Sequence, residues 1–84
     1  MNLLEAIEMI MVNNDLIFRA DLGDGIFMDL MTKKEYTLTD MDKNIYERKN
    51  MSPTIVMISN EDGGIDQGLT VNEFTMEFDF KLKR

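Results

Sequence analysis

Arg19 is the only basic residue among the first 32 and sits inside an apolar run, Leu16-Ile17-Phe18-Arg19-Ala20, just before Asp21-Leu22-Gly23-Asp24-Gly25. A guanidinium in that position can bind a phosphate or carboxylate through paired N–H donors, and Phe27 or Tyr36 offers an aromatic face on which a nucleobase can stack. The reading favoured on the residues alone is a surface ion pair with Asp21 or Asp29. Lys33 and Lys34 read as solvated turn residues.

Other chemistries find little support in the residues. The chain has neither histidine nor cysteine, which removes zinc sites, disulfides and Ser-His or Cys-His catalysis. Asp21, Asp24 and Asp29 lie close enough in sequence for paired-carboxylate hydrolysis, yet two of them fall in a turn, where aspartate bonds nearby backbone amides. Asp40-Met41-Asp42-Lys43-Asn44 opens like a calcium loop, but Ile45 stands at the glycine position and Met51 at the glutamate position. Gly23-Asp24-Gly25 and Gly63-Gly64 spell no phosphate loop, and Ser52 and Ser59 lack a nucleophile-elbow setting. The expectation is a protein without enzymatic activity, cofactor or metal.

Bulk properties narrow the class further. Eighty-four residues suffice for one domain, spanning 1–84, with 44% hydrophobic and 30% charged residues. Sixteen acids against nine bases give a net charge of −7, which repels nucleic acid and anionic lipid. That charge maintains solubility, and it also suits an acidic inhibitor covering the basic nucleic-acid groove of another protein. The longest apolar runs fall far short of the ~20 residues needed to span a bilayer. With Glu5 and Glu8 in place of a basic leader, a cytoplasmic protein is expected.

These residues need elements to position them. Leu3, Ile7, Ile10 and Met11 follow the spacing of one helical face; Asn2 and Glu5 form a capping box, and Asn13 or Asn14 closes the helix in a left-handed conformation. Residues 16–20 and 26–31 read as a β-hairpin around Asp24-Gly25. Lys33-Lys34 then turns the chain into a third strand over 35–38, and 39–51 reads as a loop with at most one helical turn. Pro53 leads into a central strand over 54–59, Asn60 to Gly64 form a turn, and a short extended piece follows near 65–67. Thr70 opens a brief helical turn with Glu73. Phe74, Met76, Phe78, Phe80 and Leu82 then alternate with polar residues as a half-buried final strand over 74–82. The architecture expected is α+β, an N-terminal amphipathic helix packed on a four- or five-stranded antiparallel sheet.

The order of these signals resembles the Thoeris anti-defence 2 family of small phage proteins, members of which also occur among reported anti-CRISPRs. The resemblance lies in Leu4-Glu5-Ala6-Ile7-Glu8-Met9-Ile10, in the stretch from Leu16 to Leu30 with its Arg19 and Gly-rich hairpin, and in Thr70-Val71-Asn72-Glu73 followed by Asp79-Phe80-Lys81-Leu82. It covers about the first thirty and last fifteen residues. Leu22 stands where the family has a tryptophan, Phe80 replaces a second tryptophan with one extra residue before it, and the middle segment has no counterpart. Membership implies a homo-oligomer in the host cytoplasm that sequesters a cyclic nucleotide immune signal. The implied ligand-binding group is Arg19, Asp21, Leu22, Phe27, Tyr36 and Arg48, with Arg19 and Arg48 supplying local positive charge. The alternative partner is a host defence protein bound through the acidic surface.

Overall fold

The computed structural model describes residues 1–39, 42–61 and 66–83. It has the α+β architecture expected from the sequence: helix α1 (Leu3–Val12) and the short α2 (Glu73–Met76) accompany strands β1 (Phe18–Gly23), β2 (Ile26–Thr39), β3 (Ile45–Ser59), β4 (Asp66–Gly68) and β5 (Phe80–Leu82). The strands form one antiparallel sheet in the order β4-β3-β2-β1-β5. Among the described residues no helix is long and apolar enough to cross a membrane.

α1 begins as its sequence dictates. The Asn2 side chain accepts from the Glu5 amide at 2.9 Å, and Glu5 returns the bond to the Asn2 amide at 3.0 Å, satisfying two N–H groups that the first turn leaves open. The buried stripe is Leu3, Ala6 and Ile10, with Ile7 at its margin, whereas Met11 is 72% exposed. The helix is thus rotated slightly from the face expected, so that the small Ala6 faces the sheet. Its end differs too: Asn13 has φ −138°, an extended cap, and Asn14 is not left-handed.

The core lies between α1 and one face of the sheet. Phe18 and Ala20 from β1, Leu30 from β2, Met57 from β3, Phe80 from β5 and Phe78 close around Leu3, Ala6 and Ile10. Phe18 and Phe80 are the largest fully buried side chains, and each contributes about 2–3 kcal/mol of transfer free energy. The β1–β2 turn is built by Asp24 (φ 55°) and Gly25 (φ 76°), as the Asp-Gly pair implies. Asn60 braces it, donating to the Gly25 carbonyl at 2.7 Å and accepting from the Phe27 amide at 2.8 Å.

Three expectations are overturned. First, Lys33-Lys34 is no turn: β2 runs on to Thr39, and neither lysine readily takes the positive φ favoured in two-residue hairpin turns. Second, most of 39–51 is strand rather than loop, since Ile45 to Lys49 pair with Thr39 to Glu35; residues 40 and 41 of the calcium-like run lie outside the described residues. Between the two registers β2 has only Lys34 where β3 has Asn50, Met51, Ser52 and Pro53. That bulge is where Pro53, lacking an N–H, does no harm to the ladder.

Third, the chain is not extended over 74–82. Asn72 caps α2, accepting from the Thr75 amide at 2.8 Å while the Thr75 hydroxyl accepts from the Asn72 amide at 3.0 Å. These local bonds outcompete the period-2 pattern. Phe74 is left 69% exposed and stacked edge-on against Phe78, and only Phe80–Leu82 joins the sheet. The extended piece expected near 65–67 is β4; residues 62–65, which include most of the expected Asn60 to Gly64 turn, lie outside the described residues.

The sheet also bends. Part of β2 comes within 8 Å of β4, although β3 lies between them and two strand spacings are about 9.6 Å. The bulge at Lys34 marks the place where regular pairing breaks and the bend can occur.

Candidate functional site

Strand alternation puts Phe18, Ala20, Leu30 and Phe80 under α1 and therefore turns Arg19, Asp21, Phe27, Asp29 and Lys81 to the other, helix-free face. Arg19 is directly opposite Asp29 on β2 and directly opposite Lys81 on β5, so the three form one row across three strands. Phe27 lies one step along, opposite Asp21.

Within that row Arg19 is fixed on two sides. Its Nε donates to Asp29 Oδ1 at 2.7 Å and its Nη2 to Oδ2 at 3.1 Å, a bidentate pair, and its guanidinium carbon stands 3.6 Å from the centre of the Phe27 ring. Lys83, just past β5, donates through Nζ to Asp29 Oδ2 at 3.1 Å. Asp29 is only 7% exposed. Burial alone would push its carboxyl up, but the bonds and charges of Arg19 and Lys83 outweigh it and hold the group below the usual carboxylate range. The bond to Asp29 likewise raises Arg19, which stays charged throughout.

Beside this row is a depression of about 430 Å³ lined by Arg19, Asp21, Asp79, Lys81, Leu82 and Lys83. Asp79 accepts from the amino group of Met1 at 2.9 Å, and this holds its carboxyl low as well. The bond to Asp29 occupies two of the five N–H donors of Arg19, leaving three directed elsewhere. Such a surface can hold an anion by charge-assisted hydrogen bonds. Among the described residues there is no cluster of three or more acidic side chains able to hold a metal.

The structure brings together Arg19, Asp21 and Phe27 of the residues expected at the site. Leu22 falls in the irregularity between Asp21 and Gly23 and is 39% exposed. Tyr36 and Arg48 are opposite one another in the outer β2–β3 ladder, beyond the bulge, and are not in the Arg19 row. The ion pair open in the sequence is resolved in favour of Asp29 over Asp21. Lys81 and Lys83 were visible only as terminal positive charge, since their placement depends on β5 docking beside β1, a pairing of residues some sixty positions apart.

Comparison with family models, curated proteins and solved structures finds no match. Fold and site define the chain by themselves: a helix on a five-stranded antiparallel sheet whose open face carries an arginine clamped between a carboxylate and an aromatic ring.

Proposed function

We propose that this protein is a non-enzymatic binding protein that acts by sequestration. It takes a phosphate-bearing, nucleotide-like ligand on the helix-free face of its sheet. The observation that carries the reading is the pre-set Arg19 guanidinium, 3.6 Å over Phe27 and clamped by Asp29, with Lys81 and Lys83 beside it in a chain of net charge −7. A cation whose rotamer is already fixed loses little entropy on meeting a phosphate, and Arg19, Lys81 and Lys83 balance the carboxylates of Asp21, Asp29 and Asp79, so this face does not share the excess negative charge of the chain. The resemblance to the Thoeris anti-defence 2 family names the ligand as a cyclic nucleotide immune signal, bound in the cytoplasm of a phage-infected host.

The test is thermal denaturation of the purified protein against cyclic mono- and dinucleotides and ADP-ribose-like compounds. A ligand at a hundredfold excess over Kd stabilises by about 2.7 kcal/mol, which raises Tm by about 10–20 °C in a domain of this size. No shift with any member of the panel rejects the reading.

A second reading rests on the acidic surface, where Glu5, Glu8, Asp15, Glu61, Glu73 and Glu77 are all exposed. It is that of an inhibitor covering the basic nucleic-acid groove of a host defence enzyme. Such a complex weakens steeply with salt, and salt-insensitive binding to the captured enzyme rejects it.

A further inference from the structure

We infer that the solvent-facing side of α1 is a docking surface for a basic amphipathic helix of a partner protein. α1 has two apolar rows rather than one. Leu3, Ala6 and Ile10 are buried in the core. Leu4, Glu8, Met11 and Val12 stand at i, i+4, i+7 and i+8, so they form a second row along the outer side of the helix. Its three apolar members are 47%, 72% and 91% exposed, in that order. The row ends at a depression of about 320 Å³ lined by Glu8, Met9, Val12, Asn13 and Leu16, which has room for a large side chain. Contiguous apolar surface with a charged rim marks contact with another molecule.

The charge around the row decides which molecule. Residues 1–18 contain Glu5, Glu8 and Asp15, all exposed, and no lysine or arginine. α2, which lies against α1, adds the exposed Glu73 and Glu77. The last turn of α1 carries no basic residue, so the negative end of the helix dipole has Glu8 and Asp15 near it instead of a cation. A second copy of the chain would set like charge against like, and an anionic lipid surface is repelled in the same way. The basic groove of the acidic-surface reading supplies cations but calls for no apolar seam. A helix with leucine-like residues on one side and Lys or Arg along the margins answers both features. Its apolar side meets Leu4, Met11 and Val12, one side chain enters the depression, and its cations face Glu5, Glu8 and Asp15 as flanking charges do in coiled coils. The surface is on the opposite side of the sheet from Arg19, so the inference does not rest on the nucleotide reading.

The probe is a labelled, amidated synthetic peptide of about five helical turns, with leucine along one side and lysine elsewhere. Fluorescence anisotropy with the full chain is expected to give a Kd of about 1–100 µM, as befits a small interface. Met11→Gln/Val12→Gln keeps helix propensity and changes side chains that are mostly in water, and it should weaken binding about tenfold or more. Glu5→Gln/Glu8→Gln keeps the capping-box pattern and should weaken binding about two- to thirtyfold at low ionic strength. At about 1 M salt, where the screening length is about 3 Å, that difference should vanish while the Met11→Gln/Val12→Gln defect persists. Glu47→Gln/Glu61→Gln makes the same change of charge at exposed sites away from α1 and should leave Kd within about twofold. Far-UV circular dichroism checks the fold of each variant; if Met11→Gln/Val12→Gln does not fold, the contrast between the two glutamate pairs decides. No binding of the peptide, an unchanged Kd in folded Met11→Gln/Val12→Gln, or equal weakening by the two glutamate pairs overturns the inference. Equal binding of a scrambled peptide that has no helical stripe does so too, as does a dimer of the chain that Met11→Gln/Val12→Gln abolishes. A protein that binds the peptide and no nucleotide rejects the sequestration reading and leaves this one standing.

Discussion

Replacing Asp29 with asparagine should be the most destabilising polar substitution on the helix-free face. The carboxylate is 7% exposed and accepts three charge-assisted hydrogen bonds, two from Arg19 and one from Lys83. Asparagine keeps the shape but removes the charge and turns an N–H₂ toward one of the cations. Breaking a fully buried ion pair costs about 3–5 kcal/mol. Here the Arg19 and Lys83 side chains keep 35% and 40% of their surface in water, so both re-solvate, and the cost falls to about 2 kcal/mol. That corresponds to about 8–16 °C in Tm for a domain of this length. Urea denaturation should show the loss in the midpoint with an unchanged slope. Lys83→Ala removes one of the three bonds from a largely solvated partner and should cost less than about 1 kcal/mol. A loss below about 0.5 kcal/mol for Asp29→Asn, or equal losses for the two variants, refutes the view that the carboxylate organises the row.

The pH dependence follows from the same group. Asp29 and Asp79 both have folded-state pKa values lowered from the ordinary range, so the stability they confer is present above the unfolded-state value of about 3.9 and is lost as pH falls through the lower folded-state values. Thermal melts should change little between about pH 5 and 8 and fall below about pH 4, with a shallower fall in Asp29→Asn. Asn2→Ala should cost about 1 kcal/mol by opening the capping box, with faster amide exchange in the first turn of α1. Phe80→Ala should cost about 3–5 kcal/mol and leave much of the chain unfolded, whereas Phe74→Ala, at a position 69% exposed, should change Tm by only a few degrees.

The features readable in the sequence are those fixed by local chemistry. Asn2-x-x-Glu5 starts a helix, Asp24-Gly25 accepts positive φ, and the β-branched, apolar run from Thr54 to Ser59 makes a strand, each because a few neighbouring residues decide the outcome. The outer half of β2 reads in the sequence as a separate strand over 35–38, because Lys33-Lys34 resembles a turn, whereas the outer half of β3 was missed because Ile45 to Lys49 is too polar for a half-buried strand, being held by pairing with Glu35 to Thr39 rather than by burial. The final strand was overestimated for the opposite reason: Phe74 and Met76 fit the alternation, but Asn72 and Thr75 offer the backbone a closed pair of hydrogen bonds three residues apart, and local geometry wins. At the site, Arg19 and Phe27 were legible because both belong to one hairpin. Lys81 and Lys83 reach them only through the β1–β5 pairing, which brings together the two ends of the chain, and no periodicity encodes that.

The helix-free face is tested most directly by backbone amide spectra of the labelled protein during titration with the nucleotide that raises Tm most. Binding there should move the resonances of Arg19, Phe27, Asp29, Lys81 and Lys83 together and saturably, and leave those of Leu3, Ala6 and Ile10 in α1 nearly still. Shifts confined to α1, or to the outer β2–β3 ribbon with the Arg19 row unmoved, would contradict the assignment of this face as the ligand surface.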